Sequence, residues 1–483
     1  MKIAPEILER IHKPHLEDDL KKYTKYLIWA NHAHLLMLKT IGIISSDKSK
    51  DLLSFSANFD QLDFIKYIDI SRKDLYFNFE QYFIMNLGDE GEKIHTGRSR
   101  NDLFATILRM YLREKFLEIE VKNCDFLDLV LKLADKYSKN IMTGYTHLQP
   151  AQPITLGYYL EGFAYSLIKE LDESRTTYKR LNRCPLGSGA FSGSTIPLNI
   201  EMVSSLLGFD EPSLHHLESI TNQDHILKLL GLWSIQCLTI SRFAHDLYIW
   251  CTNEFNYMKL NRNISGISSM MPQKQNPFLL EIIKGKTGSI IGTYNSAILT
   301  MKNTPFCNCI DAKTESIRFL EIALSEIESI YILLHLVLTN SEFNTQKMEI
   351  DAKNNFCTMT DLTEALVVEY GFNFRNAHKF VTELVHYIQD NNLQINNIKF
   401  SDLSKFFLNF NKLDSKKIWS IIDKILDPTF GVMMRKSNGG PNLKSFRWRL
   451  KNHKKNVKEH RVWINNELKR LKIVQKTTMK RLE

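Results

Sequence analysis

Apolar residues recur at helical spacing through five long, sparsely punctuated stretches: residues 104–133, 154–181, 226–250, 281–301 and 317–338. Each is longer than the mean globular helix of about 11–12 residues. Such helices cannot bury their apolar surface alone, so the pattern predicts a bundle. Their apolar residues spread beyond one face, which points to burial between subunits. No stretch of any length alternates with strand period, and there is no internal repeat. The expected fold is all-α, a long central helix bundle with smaller helical N- and C-terminal domains. The boundaries read as an N-terminal helical domain 1–103, a central bundle 104–355 and a C-terminal helical domain 356–483. A chain of 483 residues is long enough for two or three domains.

Three polar blocks interrupt the apolar pattern. The first is Ser268-Ser269-Met270-Met271-Pro272-Gln273-Lys274-Gln275-Asn276-Pro277. A serine hydroxyl becomes a base when a nearby ammonium stabilises its alkoxide and the site excludes water. Lys274 and Asn276 are then placed to steady a carboxylate whose neighbouring carbon loses a proton. The bland alternative is a surface loop. The second block is His95-Thr96-Gly97-Arg98-Ser99-Arg100-Asn101-Asp102. Two guanidinium groups flank a serine, a combination suited to gripping carboxylates. It also reads as a capping loop before an apolar-periodic run, and a helix N-terminus itself favours anions. The third is Gly144-Tyr145-Thr146-His147-Leu148-Gln149-Pro150-Ala151-Gln152-Pro153. A lone histidine is usually structural. Here it stands among hydrogen-bonding groups with no Cys or Asp at metal-ligand spacing, which favours proton chemistry over a metal.

Together the three blocks resemble the fumarase/aspartase superfamily of carbon–heteroatom lyases. The text HTGRSRND, YTHLQPAQP, PLGSGAFSGSTIPLN and SSMMPQKQNPFLLEIIKGKTG resembles argininosuccinate lyase in particular. The likeness extends to Thr358-Met359-Thr360-Asp361-Leu362 and to Gly439-Gly440, so it spans nearly the whole chain. It implies an elimination that releases fumarate from an N-succinyl amine. Ser268 matches the serine that removes the proton. Lys274 and Asn276 match the groups holding the resulting aci-carboxylate. His147 matches the histidine near the leaving nitrogen, and Glu281 its carboxylate partner from another subunit. Ser99, Arg100, Asn101 and Thr146 match residues that grip the succinyl portion. The resemblance also implies a homotetramer with each site assembled from three chains. It implies no cofactor and no metal, because the substrate carboxylate is itself the electron sink. The turn Leu186-Gly187-Ser188-Gly189-Ala190 lacks the lysine and preceding strand of a phosphate loop. It resembles the family's PLGAGA stretch near the site.

The departures from the family are uneven. A family stretch reading approximately YNxDxQEDK binds the amine end. Here it is Asn308-Cys309-Ile310-Asp311-Ala312-Lys313-Thr314-Glu315-Ser316, so Asn308, Lys313 and Ser316 replace Tyr, Gln and Lys. The DIH motif reads Asp74-Leu75-Tyr76, SDRD reads Thr221-Asn222-Gln223-Asp224, and the glycine before the serine pair is Ile267. The N-terminal WGGRF signature is absent. Matched positions on the succinyl side are kept, while many on the amine side are changed. That favours an active lyase with altered amine specificity over a catalytically silent relative with a structural or regulatory role. Lys313 in place of a neutral glutamine suggests an amine with an extra acidic group. Argininosuccinate remains the default substrate.

The net charge of +9 has a location. From Lys444 to Glu483 there are 14 Lys and Arg against three Asp and Glu. The expectation is a solvated helical tail docked through Trp448 and Trp463. Binding to nucleic acid or another polyanion is the sharper alternative, but no recognition motif accompanies the charge. The seven cysteines form no CxxC pair and read as reduced thiols in a cytoplasmic protein. Residues 1–10 carry no signal-like apolar core. No uncharged apolar run reaches the roughly 18 residues of a membrane span.

Overall fold

The computed structural model describes residues 3–482. Helix α1 (Lys13–Thr40) enters the core, and α2 (Leu75–Leu87) follows after short connecting helices. The 37-residue α3 (Arg100–Lys136) runs the length of the molecule, about 55 Å at the usual helical rise. A hairpin of β1 (Ile141–Thr146) and β2 (Gln149–Thr155) leads into α4 (Leu156–Ile168) and α5 (Leu171–Leu181). Helix α6 (Asp224–Trp250) is followed by β3 (Gly266–Ile267), β4 (Gln275–Asn276), α7 (Phe278–Met301) and α8 (Leu320–Thr339). A 37-residue helix, α9 (Leu443–Met479), lies near the end. Helices α6, α7 and α8 pack side by side, and α3 packs against α4, α8 and α9.

One hydrophobic core runs from Leu16 to Leu471 and joins the N-terminal helices to the bundle. A separate core spans Leu362 to Ile425. The sequence reading grouped 356–483 together. The structure instead places α9 on the main core, because Phe446, Leu450, Val457, Ile464 and Leu471 present a heptad-like apolar seam to it. The tail is therefore a docked helix. Trp463 meets Tyr178 edge-on at 5.3 Å, whereas Trp448, expected to dock, is 65% exposed. Part of the helix's charge is matched by the body. Arg449 pairs with Glu161, Lys454 with Asp135, and Arg461 with Asp125 and Asp128.

Two sequence expectations need correction. Strands do occur: the β1–β2 ladder pairs Ile141 with Thr155 through to Thr146 with Gln149. Its turn is His147-Leu148, both at positive φ (55° and 58°), the geometry of a two-residue hairpin turn normally built from Asn-Gly. Pro150 and Pro153 sit in β2, where an isolated two-stranded ladder leaves one edge without need of N–H donors. The stretch 154–181 is also not one helix. It begins as strand, Thr155 caps α4 by accepting the Tyr158 N–H, and the chain breaks at Lys169-Glu170 before α5.

Residues 224–250 and 310–339 are apolar enough for their length to cross a membrane. The first is α6, in the core. The second is broken into shorter pieces before α8, which packs on α7 and α3.

Candidate active site

The second polar block is built into the start of α3. Ser99 caps the helix: its Oγ accepts the Asn101 N–H at 3.2 Å, while its own N–H donates to Asp102 Oδ1 at 3.0 Å. The other Asp102 oxygen accepts the N–H groups of Gly187 (3.0 Å) and Gly189 (2.9 Å). Gly187 and Gly189 both adopt positive φ, and a Cβ on Gly187 would lie 2.3 Å from Ile200, so the turn needs glycine to reach the carboxylate. Burial pushes Asp102 up to about 6, against those donors. Asn101 donates from Nδ2 to the Ala190 carbonyl at 3.3 Å.

Arg100 pairs with Asp74 and lies 4.3 Å over the Phe77 ring. Asp74 also caps α2, accepting the Phe77 N–H at 3.0 Å. Tyr76, standing where the family has histidine, bonds His95 Nδ1 at 2.8 Å. Burial, then the Arg98 charge, lowers the His95 pKa. Arg98 in turn donates to Tyr76 Oη at 3.3 Å and to Asn31. Lys313 reaches the same place, its Nζ 5.9 Å over Phe104, one turn beyond Arg100. Burial, then the Arg100 charge, lowers Lys313 to about 8. A single chain thus brings together Ser99, Arg100, Asn101 and Lys313. Asn308 is exposed on the preceding loop.

The remaining sequence-predicted residues lie on open surface. The β3–β4 ladder pairs Gly266 with Asn276 and Ile267 with Gln275, pinching off a loop that carries Ser268 and Lys274. Ser268 Oγ accepts the backbone N–H groups of Met271 (3.0 Å) and Met270 (3.3 Å). Lys274 is exposed, as are Ile267 and Met270, at 86% and 87%. Glu281 is exposed in the first turn of α7, where its carboxylate raises the pKa of the nearby Tyr248 phenol. Thr146 and His147 sit at the hairpin tip and border a cavity of about 790 Å³ with Tyr158, Asp246, Trp250 and Arg435. Neither Ser268, Lys274 nor Glu281 lines that cavity.

Sequence reasoning did not single out Asn31, Arg98 as an inner cation, or Tyr248. Asn31 had a signal: it opens a polar run, Asn31-His32 with His34, inside the buried C-terminal part of α1. Tyr248 had none, because it is one aromatic in an apolar helix.

Comparison with known proteins bears on the family and the fold. A family described as Lyase matches residues 69–292, and one described as Argininosuccinate lyase C-terminal matches residues 356–429. Argininosuccinate lyase 1 of Shouchella clausii is 35% identical over 440 residues, covering 90% of this chain and 88% of the relative. Argininosuccinate lyase of Clostridium perfringens is 31% identical over 454 residues, covering 92% and 94%. Among solved structures, EDDS lyase in complex with formate superposes with a TM-score of 0.87 at 27% identity, covering 99% of this chain and 95% of that one. An EDDS lyase variant with bound fumarate gives 0.86. The 3-carboxy-cis,cis-muconate lactonizing enzyme of Pseudomonas putida, at 15% identity and a TM-score of 0.72, shares the fold.

Proposed function

The chain belongs to the argininosuccinate lyase family and is a carbon–nitrogen lyase, and from that premise we propose that it eliminates fumarate from an N-succinyl amine with Ser268 as the base. Argininosuccinate, giving arginine, is the default substrate. One observation carries the serine's role: its Oγ already accepts two backbone N–H groups. Two aimed donors favour the alkoxide over the hydroxyl, as an oxyanion hole favours a developing charge. Donors of this kind contribute about 3–4 kcal/mol each in a dry site.

In the proposed mechanism Ser268 takes the proton beside a succinyl carboxylate, and negative charge moves onto that carboxylate. Lys274 and Asn276 hold it there. Ser99, Arg100, Asn101 and Thr146 grip the second carboxylate. His147 with Glu281 supplies the proton that lets the amine leave, and the electron pair of the broken C–N bond departs with nitrogen. No metal or cofactor takes part in this scheme.

The exposed half of the site is completed by other copies of the chain. Apolar side chains left open on the bundle support a homotetramer: Ile235 and Leu238 on α6, Leu299 on α7, and Ile332 and Leu336 on α8. Cys124, Cys184, Cys237 and Cys357 are buried thiols, which suits a cytoplasmic enzyme.

Fumarate absorbance after adding argininosuccinate tests the reading directly. The expected result is release that falls on the order of 10³-fold in Ser268→Ala, within the range for losing a general base. Release undiminished in that variant would sink the serine's role.

A further inference from the structure

A further polar cluster lies behind the start of α3 and takes no part in the scheme above. Ser188 sits buried in the glycine turn, and its Oγ bonds His216 Nδ1 at 3.0 Å and Ser219 Oγ at 3.0 Å. Ser219 Oγ donates in turn to the His216 carbonyl at 2.9 Å. His216 and Ser219 belong to the short helix His216–Thr221, which packs on α3. Burying a hydroxyl costs free energy unless it is bonded, so the imidazole fixes where Ser188 can sit.

His216 also touches the far end of the same turn. Gly193 has a φ of +82°, and a Cβ there would lie 3.2 Å from His216 Cδ2 and 3.4 Å from its Nε2. The Gly193 N–H closes the segment by donating to the Ser188 carbonyl at 2.8 Å. One imidazole thus holds both ends of residues 188–193. Between those ends stands Ala190, whose carbonyl accepts the Asn101 Nδ2 hydrogen bond at 3.3 Å. A carbonyl can only accept, so it decides which edge of the Asn101 amide faces it. The second N–H of that amide is left for a carboxylate. Donors fixed before a ligand arrives bind it more tightly than donors that must reorganise.

We propose that His216 is a positioning residue for the succinyl grip: through Ser188 and Gly193 it sets the Ala190 carbonyl, and through that carbonyl the Asn101 amide. The inference rests on the reading above in taking Asn101 as a ligand of the substrate carboxylate. Asp102 anchors the other side of the turn by accepting the Gly187 and Gly189 N–H groups. The turn therefore stays on α3 without His216, and what His216 adds is the orientation of residues 188–193.

The experiment measures fumarate affinity of the full-length protein by isothermal titration. Asn101→Ala should weaken fumarate at least about tenfold, the effect of losing one hydrogen bond to a charged group, and His216→Leu should weaken it by a similar factor. The double variant should bind no worse than Asn101→Ala alone, because both changes act through one amide. His216→Asn keeps a bonding group where Nδ1 stood and should bind as wild type does. General damage to the fold would instead add to Asn101→Ala and would not be mended by asparagine. Ser188→Ala breaks the same clamp with a smaller change and puts the same question should His216→Leu not fold. The proposal is overturned if both His216→Leu and Ser188→Ala bind fumarate like wild type, if their effects add in full to that of Asn101→Ala, or if wild type does not bind fumarate. Argininosuccinate cleavage by the same preparation reports separately on the lyase reading. Cleavage that depends on Ser268, with a fumarate affinity indifferent to His216, leaves the family chemistry standing while the clamp falls.

Discussion

The start of α3 and the serine loop are the two halves of one proposed site, and they are built in opposite ways. At the start of α3 most of the polar side chains are held by neighbouring groups. Ser99 and Asp102 cap each other, Asp102 draws in the glycine turn, Asp74 caps α2 and holds Arg100, and Tyr76 links His95 to Arg98. In the serine loop the restraints are a two-pair ladder and two backbone bonds to Ser268, with Ile267, Met270 and Lys274 facing outward. Binding a carboxylate needs donors fixed in advance, because donors that reorganise lose most of their benefit. The proton-moving half has to be dry when it works, and on the proposed reading its covering surface comes from another copy.

The largest expected effect breaks that contrast. Replacing Ile235 and Leu238 together by arginine puts two charges on the open face of α6, where the side chains are 53% and 57% exposed in one chain. Because they are exposed, the single chain should keep its helical circular dichroism. Sedimentation should show dissociation, and fumarate release should fall below detection. A dissociated variant that still turns over would show that one chain suffices and that the open serine loop needs no partner.

How legible each half was in the sequence follows from the same difference. Five helical stretches and their bundle could be read because they are long and periodic, and in the block His95 to Asp102 the helix cap could be read, which Ser99 and Asp102 form. The hairpin around His147 could not. Its turn uses His147 and Leu148 at positive φ, residues that carry no turn signal, and holding a non-glycine pair there requires the surrounding structure to overdetermine it. The break at Lys169-Glu170 was hidden because α4 and α5 keep the apolar rhythm across it. Trp448 was misplaced for a different reason: aromatic residues on a docked helix look alike in sequence, and only the seam from Phe446 to Leu471 decides which face is buried. Within one chain Glu281 lies beside Tyr248 rather than beside His147, and the proposed pairing of the two across chains is a matter of assembly that no local pattern encodes.

A smaller effect sharpens the description of the prebuilt half. Tyr76→Phe removes one hydroxyl that accepts from Arg98 and bonds His95 Nδ1, and leaves both partners short of a bond. The expected loss of stability is about 1–3 kcal/mol, read as a shift in the denaturation midpoint. The rise in KM should exceed the fall in kcat, because the damage lies on the side that binds. A variant as stable as wild type would mean that Arg98 finds another acceptor and that the network is looser than its distances suggest.

The smallest effect is a pH dependence. Lys313 is lowered to about 8 by burial and by Arg100, while Asp102 and Asp74 oppose the shift. It is therefore charged at neutral pH and loses its charge as pH rises through about 8. The advantage of wild type over Lys313→Gln in cleaving argininosuccinate should be present below that pH and fade above it. Taking the ratio of the two enzymes on one substrate cancels the titration of the substrate itself. The proposed grip on the succinyl carboxylate does not pass through Lys313, so KM for fumarate should stay flat in the same window. A ratio that holds constant up to pH 10 would mean that Lys313 contributes shape rather than charge, and would make the two halves of the site differ in exposure alone.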